Sequence, residues 1–162
     1  MAVKGEVLFY DDGGKEMEGP RDNKSSTIFS FTQKCTMPMQ KGSSIPSGSR
    51  TYDQFEVVKS IDKITPLIWK ALCEGQMLQK VEVTLYEIAQ ATGSETPYFK
   101  FTLTNARIAS VTDYMPSSFD ETSDESGHLE QVNIAAEQYD WEHLTGSTMH
   151  HDEPFFASAN HA

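Results

Sequence analysis

The chain has 162 residues, with thirteen lysines and arginines against twenty-four acids, a net charge of −11. That balance excludes a nucleic-acid binder, which needs clustered cations to meet phosphates. The length supports one domain with a real core and leaves no room for two comfortable ones. Seven prolines, ten glycines and two cysteines fit a mainly β chain that needs no disulfide, so Cys35 and Cys73 read as reduced structural residues.

Val3, Val7 and Phe9 open a first strand that ends in the turn-rich run Asp11-Asp12-Gly13-Gly14. The start of the chain has neither the basic start nor the continuous apolar block of a signal peptide, and no segment approaches a membrane span. Synthesis and folding in the cytosol, with no membrane insertion, are therefore expected. Residues 27–32 read as a second strand around Ile28, Phe29 and Phe31.

A long polar passage follows at 37–52, carrying Pro38, Lys41, Ser44, Pro46, Ser47, Gly48 and Arg50. A protruding loop of that length inside a compact domain is usually functional or mobile, and contact with a neighbouring subunit is one way to order it. Residues 52–59 alternate Phe55 and Val57 with Gln54 and Glu56 as a third strand.

The clearest stretch runs from Asp62 to Val111. Thr65 supplies a hydroxyl able to cap, Pro66 stands where its missing donor costs nothing, and Ile64, Leu67, Ile68, Ala71 and Leu72 recur at helical spacing. Gly75 sits where a left-handed cap ends a helix over about 64–74. Two long strands follow, Val81, Val83 and Leu85 alternating with polar partners, then Phe99, Phe101 and Leu103. A hairpin loop at 90–97 links them.

Residues 117–127 form an acidic, serine-rich connector, and the final strand covers about 129–141, with Val132, Ile134 and Ala136 on one face and Asn133, Glu137 and Tyr139 on the other. The expected fold is a compact antiparallel β-barrel or sandwich of two sheets with one short flanking helix. The domain spans 1–145, and 146–162 is a tail that is flexible or docked on a neighbour. All thirteen lysines and arginines lie at or before Arg107, so the eleven acids beyond it carry the whole net charge. They either solvate the surface or meet a basic partner.

Chemistry is hard to assemble from this chain. His150-His151-Asp152 invites a metal, but adjacent side chains of an extended segment point apart, and no metal site is expected. No G-x-S-x-G elbow, G-x-G-x-x-G or P-loop occurs, so neither a nucleophile turn nor a phosphate cradle is available. A cofactor is therefore not expected, and the chain is expected not to be an enzyme. The aromatic residues Phe99, Phe101, Tyr139 and Trp141 read as packing.

The run Asp62-Lys63-x-Thr65-Pro66-x-x-x-Lys70-Ala71-Leu72-Cys73-x-Gly75, then Val81-Glu82-Val83 with Tyr86, then Tyr98-Phe99-x-Phe101-x-Leu103-x-Asn105-Ala106-x-Ile108, resembles the Hcp family, the tube proteins of type VI secretion. Leu129-Glu130-x-Val132 and Asp140-Trp141-Glu142-His143 resemble that family's closing strand. The resemblance covers about residues 50–143. It departs at the opening strand, at Tyr52-Asp53, and at Ala136, Glu137 and Gln138, where an aromatic and basic residues are usual in the family.

The resemblance implies a phage tail-tube-like barrel that forms homo-hexameric rings. Those rings would stack through loops that include 37–52, and work with a VgrG-type spike, a contractile sheath and secreted effectors. It also implies export from the bacterial cytoplasm by type VI secretion without a signal peptide, and no fused toxin domain is expected in the residues after His143. Asp62, Thr65, Pro66, Leu72, Gly75, Tyr86 and Trp141 are the structural positions it marks. Two other readings stand beside it: a monomeric ligand-binding barrel, and a small hydrolase using Glu142 and His143.

Overall fold

A computed structural model of the chain describes residues 4–117, 119 and 127–154. Val3, His161 and most of the acidic connector, 118 and 120–126, lie outside the described residues. Among the described residues nine strands and one helix follow in order: β1 Gly5–Phe9, β2 Ser26–Thr32, β3 Cys35–Thr36, β4 Thr51–Tyr52, β5 Phe55–Ser60, α1 Thr65–Cys73, β6 Met77–Ile88, β7 Glu95–Tyr114, β8 Leu129–His143 and β9 Thr148–Asp152.

The sheet runs β5-β2-β1-β6-β7-β8, and β5 pairs β8 as well, from Phe55 opposite Ile134 to Ser60 opposite Leu129. Six antiparallel strands thereby close into a barrel, which removes the exposed edges that an open sheet would present. The fold is a closed barrel and not a two-sheet sandwich; the second sheet is the small β3–β4 ribbon. Val7, Phe9, Phe55, Val57, Val81, Val83 and Ile134 are completely buried and fill the interior.

Helix α1 connects β5 to β6 and packs on the barrel beside β7. Ile64, Ile68 and Ala71 are buried against the core and Leu72 packs beside them, but Leu67 is 43% exposed and lies off the apolar stripe. Thr65 does not cap the helix. Its hydroxyl accepts the Asp62 N–H at 3.1 Å, while the Asp62 carboxylate accepts the Ile64 N–H at 3.0 Å, so the turn before the helix is stitched instead. Pro66 occupies the first turn, where no donor is missed. At the other end Gly75 has φ +63°, and the N–H groups of Gly75 and Gln76 bond the Leu72 and Ala71 carbonyls at 3.2 and 2.9 Å. This is the left-handed stop that the sequence predicts. Cys73 sits on the exposed side of the helix, and Cys35 is likewise free and exposed.

Three neighbouring strands change which face is buried at one level. Leu78, then Val81 and Val83, are buried on β6; Leu103, then Ala106 and Ile108, on β7; Val132, Ile134 and Ala136, then Tyr139, on β8. Strict alternation cannot produce those sequences. The cause lies at Asn105, whose φ of +52° places it in the left-handed region inside a strand. Both ladders skip this residue, passing from Thr104 to Ala106 against β6 and against β8. The Asn105 amide donates to Glu137 at 3.2 Å across the gap. Tyr139 therefore joins the core, on the same side as Ala136 and not opposite it.

Candidate functional site

The segment 37–52 is an arm and not a free loop. Its base is zipped by Cys35 opposite Tyr52 and Thr36 opposite Thr51, with the Asp53 N–H on the Lys34 carbonyl at 2.9 Å. Farther out Met39 bridges to Pro46, and the Ser47 N–H reaches the Pro38 carbonyl at 2.9 Å. The tip turns through Gly42, at φ +72°, with Gln40 N–H on the Ile45 carbonyl at 2.8 Å. Gly48 lies so close to Pro38 that an added Cβ would stand 3.2 Å from its ring, so the arm tolerates little bulk there.

Lys41 and Ser44 point to solvent at the tip. Met37, Met39 and Ile45 are 41, 51 and 56% exposed, an unusual amount of apolar surface for a short hairpin. From residue 33 to residue 52 the chain contains Lys34, Lys41 and Arg50 and no acid. The arm is therefore the basic and apolar appendage of an acidic protein.

Arg50 differs from the other arm residues because its charge is engaged within the chain. Nε and Nη2 donate to the two oxygens of Asp152 on β9 at 2.7 and 2.6 Å, a bidentate fork, and the Tyr52 hydroxyl donates to the same carboxylate. The Arg50 hydrogen bond is the main influence holding the Asp152 carboxyl below its ordinary range, and Tyr52 and the Arg50 charge add to it against the opposing effect of burial. Burial first, and then the bond to Asp152, push the Tyr52 phenol upward.

The Tyr52 ring stacks on Tyr139 at 4.4 Å with 6° between planes, beside Trp141, and Trp141 stacks in turn on His150. The Trp141 indole donates to Gln33 at 2.8 Å. Strand β9 lies within 146–162, the segment that the sequence predicts to be a tail, flexible or docked on a neighbour. It pairs with β8 from Tyr139 opposite Asp152 to His143 opposite Thr148, and its anchors explain why it is ordered.

The remaining predicted positions lie away from the arm. Asp62 accepts the Ser26 hydroxyl at 2.7 Å and faces Lys59 at 3.2 Å. Tyr86 donates to the buried Glu6 carboxylate, which also takes Asn23 and Ser25, with Arg21 at 3.3 Å. Burial raises the Glu6 carboxyl, but these donors outweigh it and hold it low. Burial and the bond to Glu6 push Tyr86 up to about 12. His143 caps the Gly146 N–H at 2.8 Å and packs against Tyr98 and Phe99, a structural task that leaves its Nδ1 engaged. Among the described residues no group of three or more His, Cys, Asp or Glu is placed to hold a metal.

Residues 12–143 match the family model described as type VI secretion system effector, Hcp. The chain belongs to the Hcp family. Over 141 residues it is 29% identical to the major exported protein of Pseudomonas aeruginosa, covering 87% of this chain and 80% of that protein. Hcp1 of the E. coli EAEC 042 pathovar, in a doubly substituted form, superposes with a TM-score of 0.81 at 27% identity, over 94% of this chain and 99% of that one. The secreted protein Hcp3 of Pseudomonas aeruginosa gives 0.74 at 21% identity, over 94 and 98%. This protein is thus a β-barrel of the type VI secretion system, from a family of secreted proteins. Asp152 and all of β9 lie beyond the stretch that the family model matches.

Proposed function

We propose that the protein is the structural subunit of the type VI secretion tube, closing into hexameric rings that stack and leave the cell with effectors. The observation that carries this reading is the arm: a braced hairpin with apolar residues in solvent, projecting from a closed barrel of the Hcp family. Exposed methionines and an isoleucine on an ordered element are best explained by a surface that covers them. Pro38, Lys41, Ser44, Pro46, Ser47 and Gly48 would contribute to that contact, with Arg50 setting the arm's base. A tube works with a spike of the VgrG type and a contractile sheath, and its subunit folds in the bacterial cytoplasm before export by type VI secretion. No catalytic role is assigned. The domain is 1–145, to which β9 from the tail is added.

A monomeric ligand-binding barrel would need an internal cavity, and here the interior is occupied by fully buried Phe9, Phe55, Leu103 and Ile134. The test is the absolute mass in solution by light scattering after size exclusion. A species near six times the 18.1 kDa chain is expected. A strict monomer at micromolar concentration would overturn the ring.

A further inference from the structure

We propose that β9 is a strap that fixes the direction of the arm, with Asp152 as its fastening point. The inference rests on the reading of the arm as the contact between rings, and it adds what sets the arm's pose.

Three observations carry it. First, the barrel is already closed by β5 on β8, and β9 pairs only with the upper part of β8, Tyr139 to His143, beyond the residues that β5 covers. The barrel does not need β9 for closure. Second, the contacts of β9 with the arm converge on one carboxylate. Asp152 takes both forks of Arg50 and the hydroxyl of Tyr52, and Arg50 and Tyr52 flank Thr51 at the arm's root. Third, on the Tyr52 side the arm's root is otherwise held to the barrel by flat ring contacts, Tyr52 on Tyr139 and on Trp141, which resist separation better than sliding, while the Trp141 indole holds the other side through Gln33. A bidentate guanidinium pair fixes direction as well as distance.

Holding a contact element in its bound pose before assembly lowers the ordering cost of binding. The strap supplies that without touching the arm's outer half, where the hairpin bonds are its own. Asp152 is a positioning residue in this scheme.

The experiment places spin labels at Ser44→Cys and at native Cys73 on α1, in a Cys35→Ser background, and reads the distance distribution by double electron–electron resonance. The parent is expected to give one narrow distribution and Asp152→Asn one at least twice as broad. Exchanging the charges with Arg50→Asp and Asp152→Arg together should narrow it again. An unchanged width in Asp152→Asn overturns the proposal. So does a width that stays broad in the exchange, because the ion pair would not then be the cause.

Arg50→Gln is the second route should Asp152→Asn fail to fold, and the same broadening is expected of it. Ring and stack formation, scored on the same samples by light scattering, separates the two ideas. A loosened arm with assembly intact refutes the arm's contact role and leaves the strap standing. A rigid arm with assembly lost does the reverse.

Discussion

Lys59→Met tests the least expected feature of the core, a lysine with no solvent exposure at the seam where the barrel closes. Lys59 stands directly opposite Glu130, also fully buried, with Nζ 3.2 Å from Oε1 and 3.2 Å from Asp62 Oδ1. Lys59 also donates to the Ser60 carbonyl at 3.1 Å, whereas neither Glu130 oxygen accepts a well-formed hydrogen bond. At an effective dielectric of about 20, opposite charges at this separation attract by roughly 5 kcal/mol. Removing one partner of such a buried pair costs about 3–5 kcal/mol.

Protonation caps the loss. A stranded Glu130 takes up a proton instead of staying charged, and moving a carboxyl from 4.5 to neutral at pH 7 costs about 3.4 kcal/mol. Burial already holds Glu130 above that ordinary value in the parent, so its share of the loss should be at most about 3 kcal/mol at pH 7 and below about 1 kcal/mol at pH 5. Urea unfolding at one fixed protein concentration reads this directly, with an accompanying fall of roughly 6–12 °C in Tm at pH 7. In the parent, burial already pushes Glu130 upward, more than Lys59 pulls it down. Its contribution to stability is accordingly full below its unfolded pKa and is lost as pH rises through the folded one. Lys59→Met with Glu130→Leu removes both charges and should return to within about 1 kcal/mol of the parent. A single variant as stable as the parent at pH 7, or a double variant no better than the single, would refute the reasoning.

Ile68→Ala removes a fully buried side chain from the helix–barrel contact and should cost about 2–5 kcal/mol by urea titration, whereas Leu67→Ala, on the exposed side, should stay within about 0.5 kcal/mol. Asn105→Gly should fold normally, because glycine accepts a φ of +52°, while Asn105→Val should lose about 1–2 kcal/mol in the same assay. His151 bridges Asp140 and Glu153 at 2.6 and 2.8 Å, and those bonds, Glu153 first, raise its pKa above the ordinary 6.5. Its support for β9 is full below 6.5 and lost as pH rises through the raised value, whereas that of Asp152 is present above 3.8 and lost as pH falls through its lowered value. Amide protection along β9, taken relative to the intrinsic exchange rate at each pH, should thus be greatest between about pH 4 and 6.5. Shortening the arm between Pro38 and Pro46 should leave the far-ultraviolet spectrum unchanged and reduce stacked species in light scattering.

The elements that depend on local chemistry could be read from the sequence. Pro66, the Ile64–Ile68–Ala71 spacing and Gly75 define α1 because propensity, stripe and stop agree. The strand runs at Val81 and Phe99 were visible because one face meets the core and the other water. Reading failed where two segments far apart decide the outcome. Strand β9 has no alternation of its own, and what orders it is a ladder to β8 and a carboxylate meeting an arginine 102 residues away. The same limit hid the hairpin character of the arm, since Met39 and Pro46 show their pairing only once the base is zipped.

The sequence also carries a mark of the barrel's closure. Phe55, Val57 and Lys59 share a parity, as do Glu130, Val132 and Ile134, so a lysine and a glutamate occupy inward positions on two strands of opposite direction. A buried charge at an inward position must find its opposite or be neutralised, and the only register that satisfies both places Lys59 beside Glu130. That pairing, followed outward along the strands, also puts Phe55 opposite Ile134 and closes the barrel. The ion pair thus serves as a register mark more than as a source of stability. A two-residue slip of β5 against β8, which keeps the same faces inward, would part Lys59 from Glu130 and strand the carboxylate in an apolar interior. Without the pair, the seam would be chosen by interchangeable aliphatic side chains alone, and the arm, which leaves the barrel immediately before β5, would inherit that uncertainty.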